Sequence, residues 1–555
     1  MPRKKPFSGK QKKLQLQAKR QEKQFQGSKD GNVGLTHDIW EEDPSDPTSK
    51  DLSSTRASSK KATRDRYKLE FQEESKDELQ RNKEIAMRSY ARRSPEEMEA
   101  SSQSFYDPPI MFPVRPPWDH SLTLQTLEEQ EHKYFQNFCE RFRRDHKLGY
   151  VELNLETWRQ LWRVLEMSDI LLHIIDVRYA PLHFNPELYK YVTSVLGKEV
   201  IVILNKCDIV PPSVAIAWKN YLLEEFPKLK VVIFTSYPKD PSTRTLLAKG
   251  KQSGRRRKRP GAVGPIELWE VCNSLVKGEL NIDSWKSKIL DDMHINADEE
   301  DSDQSDCEVE EKGGNIAKLD LTYTKHAKYK DGVLTVGCIG YPNVGKSSVI
   351  NGLMGHKVVS ISRTPGHTKH FQTIFLTRNV KLCDCPGLVF PSTAPRAIQV
   401  LAGMYPVSQI REPYSIVQYI AERCDLPTIL GLRLPADENS WSAYLICDEL
   451  AELKGFKTAR GARTDSYRAA NWILRAALEG KVLIYLFPPQ YHSRIEYWSS
   501  HPDADWLELK QLERLEVAEG LRSRREEEVA LSESEESGEE TAACSNAFAL
   551  LSDDS

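Results

Sequence analysis

The sequence predicts an α/β chain in which a parallel sheet, covered on both faces by helices, is followed by a separate helical domain and flanked by charged, largely disordered regions. Three observations predict it. From Trp158 onward, short apolar runs of strand length alternate with helix-period stretches, the pattern of parallel strands joined by helical crossovers. After Pro391 the alternation gives way to helical periodicity alone. Opposite charges are segregated into blocks: residues 1–20 carry eight Lys or Arg and no Asp or Glu, and residues 526–555 carry ten acidic residues and no basic ones. The formal net charge of -3 hides these two ends.

With 555 residues, 39% of them hydrophobic and 29% charged, the chain has room for one or two folded domains plus tails. Ten cysteines include no C-x-x-C pair, the closest being Cys383-x-Cys385, so reduced thiols of a cytosolic or nuclear protein are expected and no disulfide framework. Apolar runs such as 170–175 and 200–204 fall well short of the roughly 18 to 20 residues that a bilayer span requires. The basic N-terminal stretch has no apolar segment behind it, so a soluble intracellular chain without membrane association is expected.

Residues 1–111 are rich in Lys, Arg, Gln, Ser and Asp, with few branched apolars to offset the entropy of ordering; a basic, largely disordered region with helical pieces around 67–92 is expected. A helical lead-in follows over 112–157, opened by the proline-rich 112–118 and carried by Leu127, Tyr134, Phe135 and Phe138. Over 158–395 the order is helix (Trp158, Leu161, Trp162, Leu165), strand (170–175), helix (186–196), strand (200–204), helix (214–226) and strand (231–234). A charged insertion interrupts it at about 238–329, with seven Lys or Arg in 249–259 and eleven Asp or Glu in 291–311; one short helix, 266–276, is expected inside it. Strands resume at 333–339, 371–376 and 380–383. Helices at 398–402, 414–423, 441–454 and 467–478 form a C-terminal helical domain over 396–490, and 491–555 reads as an acidic tail.

Gly340-Tyr341-Pro342-Asn343-Val344-Gly345-Lys346-Ser347 matches G-x-x-x-x-G-K-[ST], between an apolar strand and the helix-compatible Ser348-Val349-Ile350-Asn351. The glycines let successive N–H groups face phosphates, and the helix N-terminus adds its positive dipole end. Lys346 is placed to neutralise β and γ phosphates, and the Ser347 hydroxyl to bind magnesium. Asp384-Cys385-Pro386-Gly387 ends the strand 380–383, where a P-loop protein places a second magnesium-side carboxylate and the glycine that senses the γ phosphate. Asn205-Lys206-Cys207-Asp208 ends another strand and suits guanine: the Asp208 carboxylate can accept from the ring N–H and the exocyclic amine, neither of which adenine presents in that geometry. Lys206 would pack along the base and Asn205 would tie this loop to the phosphate loop. One strand later, Phe234-Thr235-Ser236 offers a loop for the guanine carbonyl. A site for GTP and GDP is expected.

In an ordinary small GTPase the phosphate motif comes first; here Asn205 precedes Lys346. Strands of a parallel sheet pair through space, so a chain with joined former ends and new breaks builds the same site, and a circularly permuted P-loop GTPase domain is expected. The break follows Asp384-Cys385-Pro386-Gly387, so the γ-phosphate sensor leads directly into the helical domain.

With these motifs, and with Leu155-Glu156-Thr157-Trp158-Arg159-Gln160-Leu161-Trp162-Arg163-Val164-Leu165-Glu166 and Met1-Pro2-Arg3-Lys4-Lys5-Pro6-Phe7-Ser8, the chain resembles the circularly permuted GTPases associated with ribosome assembly, over about 115–489. The resemblance implies hydrolysis of GTP to GDP and phosphate as a molecular switch in ribosomal subunit biogenesis, with pre-ribosomal particles and ribosomal RNA as partners. It makes Thr368, in Pro365-Gly366-His367-Thr368, the switch threonine on magnesium. It matches Asn343 to an asparagine that holds potassium in potassium-activated relatives, although the residue equally suits a turn. Leu388 stands where Ras-like enzymes place the glutamine that orients the attacking water, so slow intrinsic hydrolysis completed by a partner or an ion is implied, and no catalytic base is assigned.

A GTP-gated scaffold or signalling adaptor with negligible turnover is the alternative reading, motivated by Leu388 and the acidic tracts. The basic block 1–20 and Arg255-Arg256-Arg257-Lys258-Arg259 are either solvated loops or segments for RNA binding and for a nuclear or nucleolar location with cytoplasmic shuttling. Ser302, Ser305, Ser532, Ser534 and Ser537 suit an acidophilic kinase or remain unmodified. His173, inside an apolar strand, reads as a packed core residue.

Overall fold

A computed structural model describes residues 69–72, 74–119, 122–144, 148–238, 261–295, 309–310, 327–362, 365–366, 371–458 and 463–513. Seven strands form one sheet: β1 (Ile170–Asp176), β2 (Glu199–Asn205), β3 (Lys230–Ile233), the two-residue edge strand β4 (Val309–Glu310), β5 (Leu334–Ile339), β6 (Gln372–Thr377) and β7 (Val380–Asp384). Their spatial order is β3-β2-β1-β5-β7-β6-β4. The neighbours from β3 to β7 are parallel, whereas β6 runs antiparallel to β7 and β4 antiparallel to β6. Every residue of β1 and β5 is buried, as expected of central strands covered on both faces.

Helices α1 (Lys76–Ala86), α2 (Leu124–Arg144) and α3 (Leu155–Met167) precede the sheet, and α4 (Pro212–Glu225) carries the chain from β2 to β3. The Asn154 side chain accepts the Glu156 N–H at 2.9 Å and so starts α3, whose Trp158, Leu161, Trp162 and Leu165 are buried in the core. Helices α5 (Pro265–Val276) and α6 (Asp283–Ile295) lie between β3 and β4, and α7 (Lys346–Met354) follows β5. The helical domain comprises α8 (Arg396–Leu401), α9 (Tyr414–Ala421), α10 (Ala443–Lys454) and α11 (Ser466–Leu478), with α9 packed on α1. Among the hydrogen bonds that fasten it to the sheet side are Arg178 Nη1 to the Ala477 carbonyl at 3.2 Å, the Leu486 N–H to the Arg178 carbonyl at 2.9 Å, and Trp218 Nε1 to the Leu486 carbonyl at 3.0 Å.

Three boundaries differ from the sequence expectation. Residues 69–111 fall within the region expected to be largely disordered, yet Phe105, Tyr106 and, just beyond, Phe112 are core residues, Phe112 meeting Phe390 edge-on at 5.6 Å. A few large aromatics bury enough surface to hold a segment whose average composition is polar. The insertion contains a second helix, α6: Ile282, Trp285 and Ile289 are buried at helical spacing among charged neighbours, and Trp269 Nε1 donates to the Ile282 carbonyl at 3.1 Å. The ordered chain also passes residue 490, through a short helix (Ile495–Ser499) with buried Trp498 and a helical run from 502 with buried Leu507. The basic blocks, the acidic 526–555 and the five serines noted above lie outside the described residues. No helix among those described is long and apolar enough to cross a membrane.

His173 is buried in β1, stacked on Phe184 at 5.8 Å, and burial pushes its pKa down to about 4. Because the unfolded chain titrates near 6.5, the native state favours the neutral ring, and this contribution to stability is present above about 6.5 and lost as the pH falls toward 4. Urea unfolding across that range is expected to show a steeper loss for the wild type than for His173→Gln, the gap between them changing by roughly 3 kcal/mol.

Candidate functional site

The parallel register brings four strand ends to one edge of the sheet. Asp176 at the end of β1 lies opposite Asn205 at the end of β2, and Asp384 at the end of β7 lies opposite Cys338 of β5, two residues before Gly340. Open α/β sheets bind ligands at this edge.

Gly340 leaves β5 with φ 146°, Asn343 adopts φ 58°, and Gly345 turns into α7 with φ 104°. A Cβ at Gly340 would strike the Ile174 carbonyl oxygen, and one at Gly345 the Asn205 side-chain amide, so both positions need glycine for space as well as for φ. The Lys346 ammonium is buried and donates to the carbonyls of Gly340 at 3.1 Å and Tyr341 at 2.7 Å, and burial pulls its pKa down. Pro342, Asn343, Gly345, Lys346, Ser347, Ser348 and Gly387 line one pocket, together with residues of the stretch 360–366. Val344 and the Tyr341 side chain face the core instead.

The loop from Asn205 to Asp208, expected to hold the base, meets this glycine-rich loop directly. Asn205 Nδ2 donates to the Val344 carbonyl at 2.9 Å, while Asn205 Oδ1 accepts from Ser236 Oγ at 3.2 Å. Lys206, in the left-handed region at φ 64°, donates through its ammonium to the Asn343 carbonyl at 2.6 Å and to Asp176 Oδ2 at 2.8 Å. The Cys207 thiol turns inward and donates to the Leu204 carbonyl at 3.1 Å, leaving Asp208 partly exposed on the loop. Thr235 is fixed by reciprocal backbone hydrogen bonds with Val263, both at 3.0 Å.

Across the pocket, Ser347 Oγ donates to Asp384 Oδ2 at 3.1 Å, and Asp384 Oδ1 is buried without a hydrogen-bond partner among the described residues. Burial raises the Asp384 carboxyl to about 6, against the opposing pull of Lys346 and Ser347. Cys385 is buried with its N–H on the Cys338 carbonyl, and Pro386 leads to Gly387, where a Cβ would lie 2.6 Å from Pro342 Cα. Leu388 is buried, with its N–H 3.3 Å from the Gly340 carbonyl. Thr368 lies outside the described residues.

Four participants escaped the sequence reading. Asp176 is buried between Lys206 and Arg178; burial alone would raise its pKa, but the two cations hold it below the usual carboxylate range. Its signal was an ionisable residue closing an apolar strand beside the strand of Asn205. Arg178 joins Asp176 to the helical domain. Gly403 accepts the Asn343 side-chain amide at 2.9 Å, so this asparagine serves a turn and also reaches the helical domain. Tyr106 gave no local signal: its hydroxyl donates to the Leu182 carbonyl at 2.5 Å and, with its one proton so directed, accepts from Tyr341 at 2.7 Å.

This strand order and this site define the circularly permuted P-loop GTPase class. The 50S ribosome-binding GTPase family matches residues 335–426. Guanine nucleotide-binding protein-like 1 of Mus musculus is 42% identical over 558 residues, covering 92% of this chain and 90% of that protein; the Homo sapiens protein of the same name matches equally. Large subunit GTPase 1 homolog of Mus musculus is 31% identical over 471 residues, covering 76% of this chain and 72% of that protein. The chain belongs to the guanine nucleotide-binding protein-like 1 family of circularly permuted GTPases.

The paired tyrosine hydroxyls behind the phosphate loop are open to a double-mutant cycle. Tyr106→Phe, which leaves the Tyr341 hydroxyl without an acceptor, is expected to cost about 1 to 3 kcal/mol in urea unfolding. Tyr106→Phe with Tyr341→Phe is expected to cost less than the sum of the single changes.

Proposed function

We propose that the protein binds GTP and GDP where the two loops meet and hydrolyses GTP slowly, as a switch read by its helical domain. The observation that carries this is the 2.9 Å hydrogen bond from Asn205 to Val344, which joins motifs 139 residues apart into one site. In this reading the guanine lies against Asn205, Lys206, Cys207 and Asp208, with Thr235 and Ser236 on the carbonyl side. The N–H groups along Gly340 to Ser348, Pro342 excepted, and the Lys346 ammonium take the phosphates, and the N–H of Gly387, beyond Asp384, Cys385 and Pro386, takes the γ phosphate.

Magnesium fits the residues present: the partnerless Asp384 Oδ1 and the adjacent Ser347 hydroxyl are hard oxygen donors, with Thr368 proposed as a third. Bound there, the ion would offset the negative charge of the phosphates. The buried Leu388 presents no group to a water, which supports slow intrinsic turnover and completion of the site by a partner or by potassium near Asn343. The same burial favours the second reading, a GTP-gated scaffold with negligible turnover.

A role in ribosomal subunit biogenesis, with pre-ribosomal particles and ribosomal RNA as partners, is supported by the names of the matched family and of the large-subunit relative and by the basic blocks at 1–20 and 249–259. A nuclear or nucleolar location with cytoplasmic shuttling, and acidophilic-kinase modification of the serines near the acidic tracts, belong to the same proposal. Single-turnover hydrolysis is expected to rise with potassium or with purified pre-ribosomal subunits; stimulation by neither would leave the scaffold reading.

Asp208→Asn is expected to weaken GTP and GDP binding by roughly 10²-fold or more, because the amide presents a donor to the guanine N–H edge, and to improve binding of xanthine nucleotides, whose 2-oxo group accepts from it. Displacement of a fluorescent guanine nucleotide by GTP, XTP and ATP checks this, and equal competition by ATP and GTP in the wild type would overturn the assignment of the base.

A further inference from the structure

The site touches the helical domain at a second place, remote from the phosphates. Asp176, almost fully buried, accepts the Lys206 ammonium on Oδ2 at 2.8 Å and Arg178 twice, from Nη2 on Oδ2 at 2.7 Å and from Nε on Oδ1 at 3.1 Å. On one side, Lys206 continues to the Asn343 carbonyl of the phosphate loop at 2.6 Å. On the other, Arg178 Nη1 continues to the Ala477 carbonyl in the last turn of α11 at 3.2 Å, and the Arg178 carbonyl receives the Leu486 N–H at 2.9 Å. An unbroken polar line thus runs from phosphate loop through base loop to the far end of the helical domain. A buried carboxylate held by two cations tolerates the loss of neither. Lys206 sits in a left-handed conformation that a lysine keeps only where its surroundings impose it, and Asp176 and Asn343 supply that constraint at its ammonium.

We propose that Asp176 and Arg178 are positioning residues that couple occupancy of the guanine-binding loop to the end of α11 and the segment 481–487, giving the helical domain a base-side readout separate from the path through Gly387. This rests on the assignment of Asn205 to Asp208 as the base-reading loop.

Hydrogen exchange on the full chain tests it, with GDP as the whole ligand and pyrophosphate as a phosphate-only probe. GDP is expected to slow exchange at 476–487, and pyrophosphate to leave those residues unchanged. Arg178→Lys keeps a cation beside Asp176 but lacks the fork that also reaches Ala477; compared at saturating GDP, it is expected to lose the GDP-induced protection at 476–487. Asp176→Asn is expected to weaken GDP by about tenfold or more while pyrophosphate affinity holds. Protection at 476–487 that survives in Arg178→Lys overturns the coupling, and so does its absence in a wild type that binds GDP normally. Failure of the wild type to prefer GDP over ADP overturns the base-reading assignment itself, and the coupling with it. If Asp176→Asn does not fold, Arg178→Lys decides alone.

Discussion

Parallel strands all finish at the same edge of their sheet, whatever order the chain visits them in, and everything else in this protein depends on that constraint. Asp176, Asn205, Gly340 and Asp384 close or follow four such strands and are gathered into one cluster by register alone. The chain reaches the base loop long before the phosphate loop, yet the Asn205 amide still finds the Val344 carbonyl, because the pairing of β1 with β2 and with β5 leaves no other place for either loop. Permutation thus preserves the chemistry and changes what is attached to it.

What is attached is clamped tightly. The phosphate loop is held from behind by Tyr106 through Tyr341, from the base side by Asn205 and Lys206, and from the helical domain by Gly403 through Asn343. A loop that must present backbone N–H groups to phosphates gains from fixed neighbours, since preorganised dipoles need no rearrangement when charge arrives. The buried Asp384 has one oxygen engaged by Ser347 and the other without a partner among the described residues, and its raised pKa records the cost of holding a carboxylate away from water without a full set of partners.

The sheet and both loops were legible because their signals are local: an apolar run gives a strand, and glycine spacing gives a phosphate turn. What the sequence concealed was non-local. Phe105 and Tyr106 sit in a polar stretch, and nothing near them announces that they are buried against residues more than 200 positions away. Helix α6 was hidden because the acidic and basic neighbours of its buried Trp285 and Ile289 lower its average apolarity below that of an obvious core helix. Arg178 follows β1 outside any motif; only the return of the chain at Ala477 and Leu486 makes it a buried anchor. Asn343 was ambiguous between turn and ligand, and the left-handed φ together with the hydrogen bond to Gly403 gives it a structural task that no motif encodes.

The pairing of β1 with β5 joins Ile170 to Val336, so the central seam of the sheet closes across the whole of β2, β3 and the charged insertion. During synthesis the base-reading half emerges first, and its innermost strand has a bare edge until β5 and β7 arrive. An unpaired apolar edge is the feature most prone to mispairing. The late strands therefore both complete the proposed nucleotide site and cover that edge, so competence to bind at this site requires the edge to be covered.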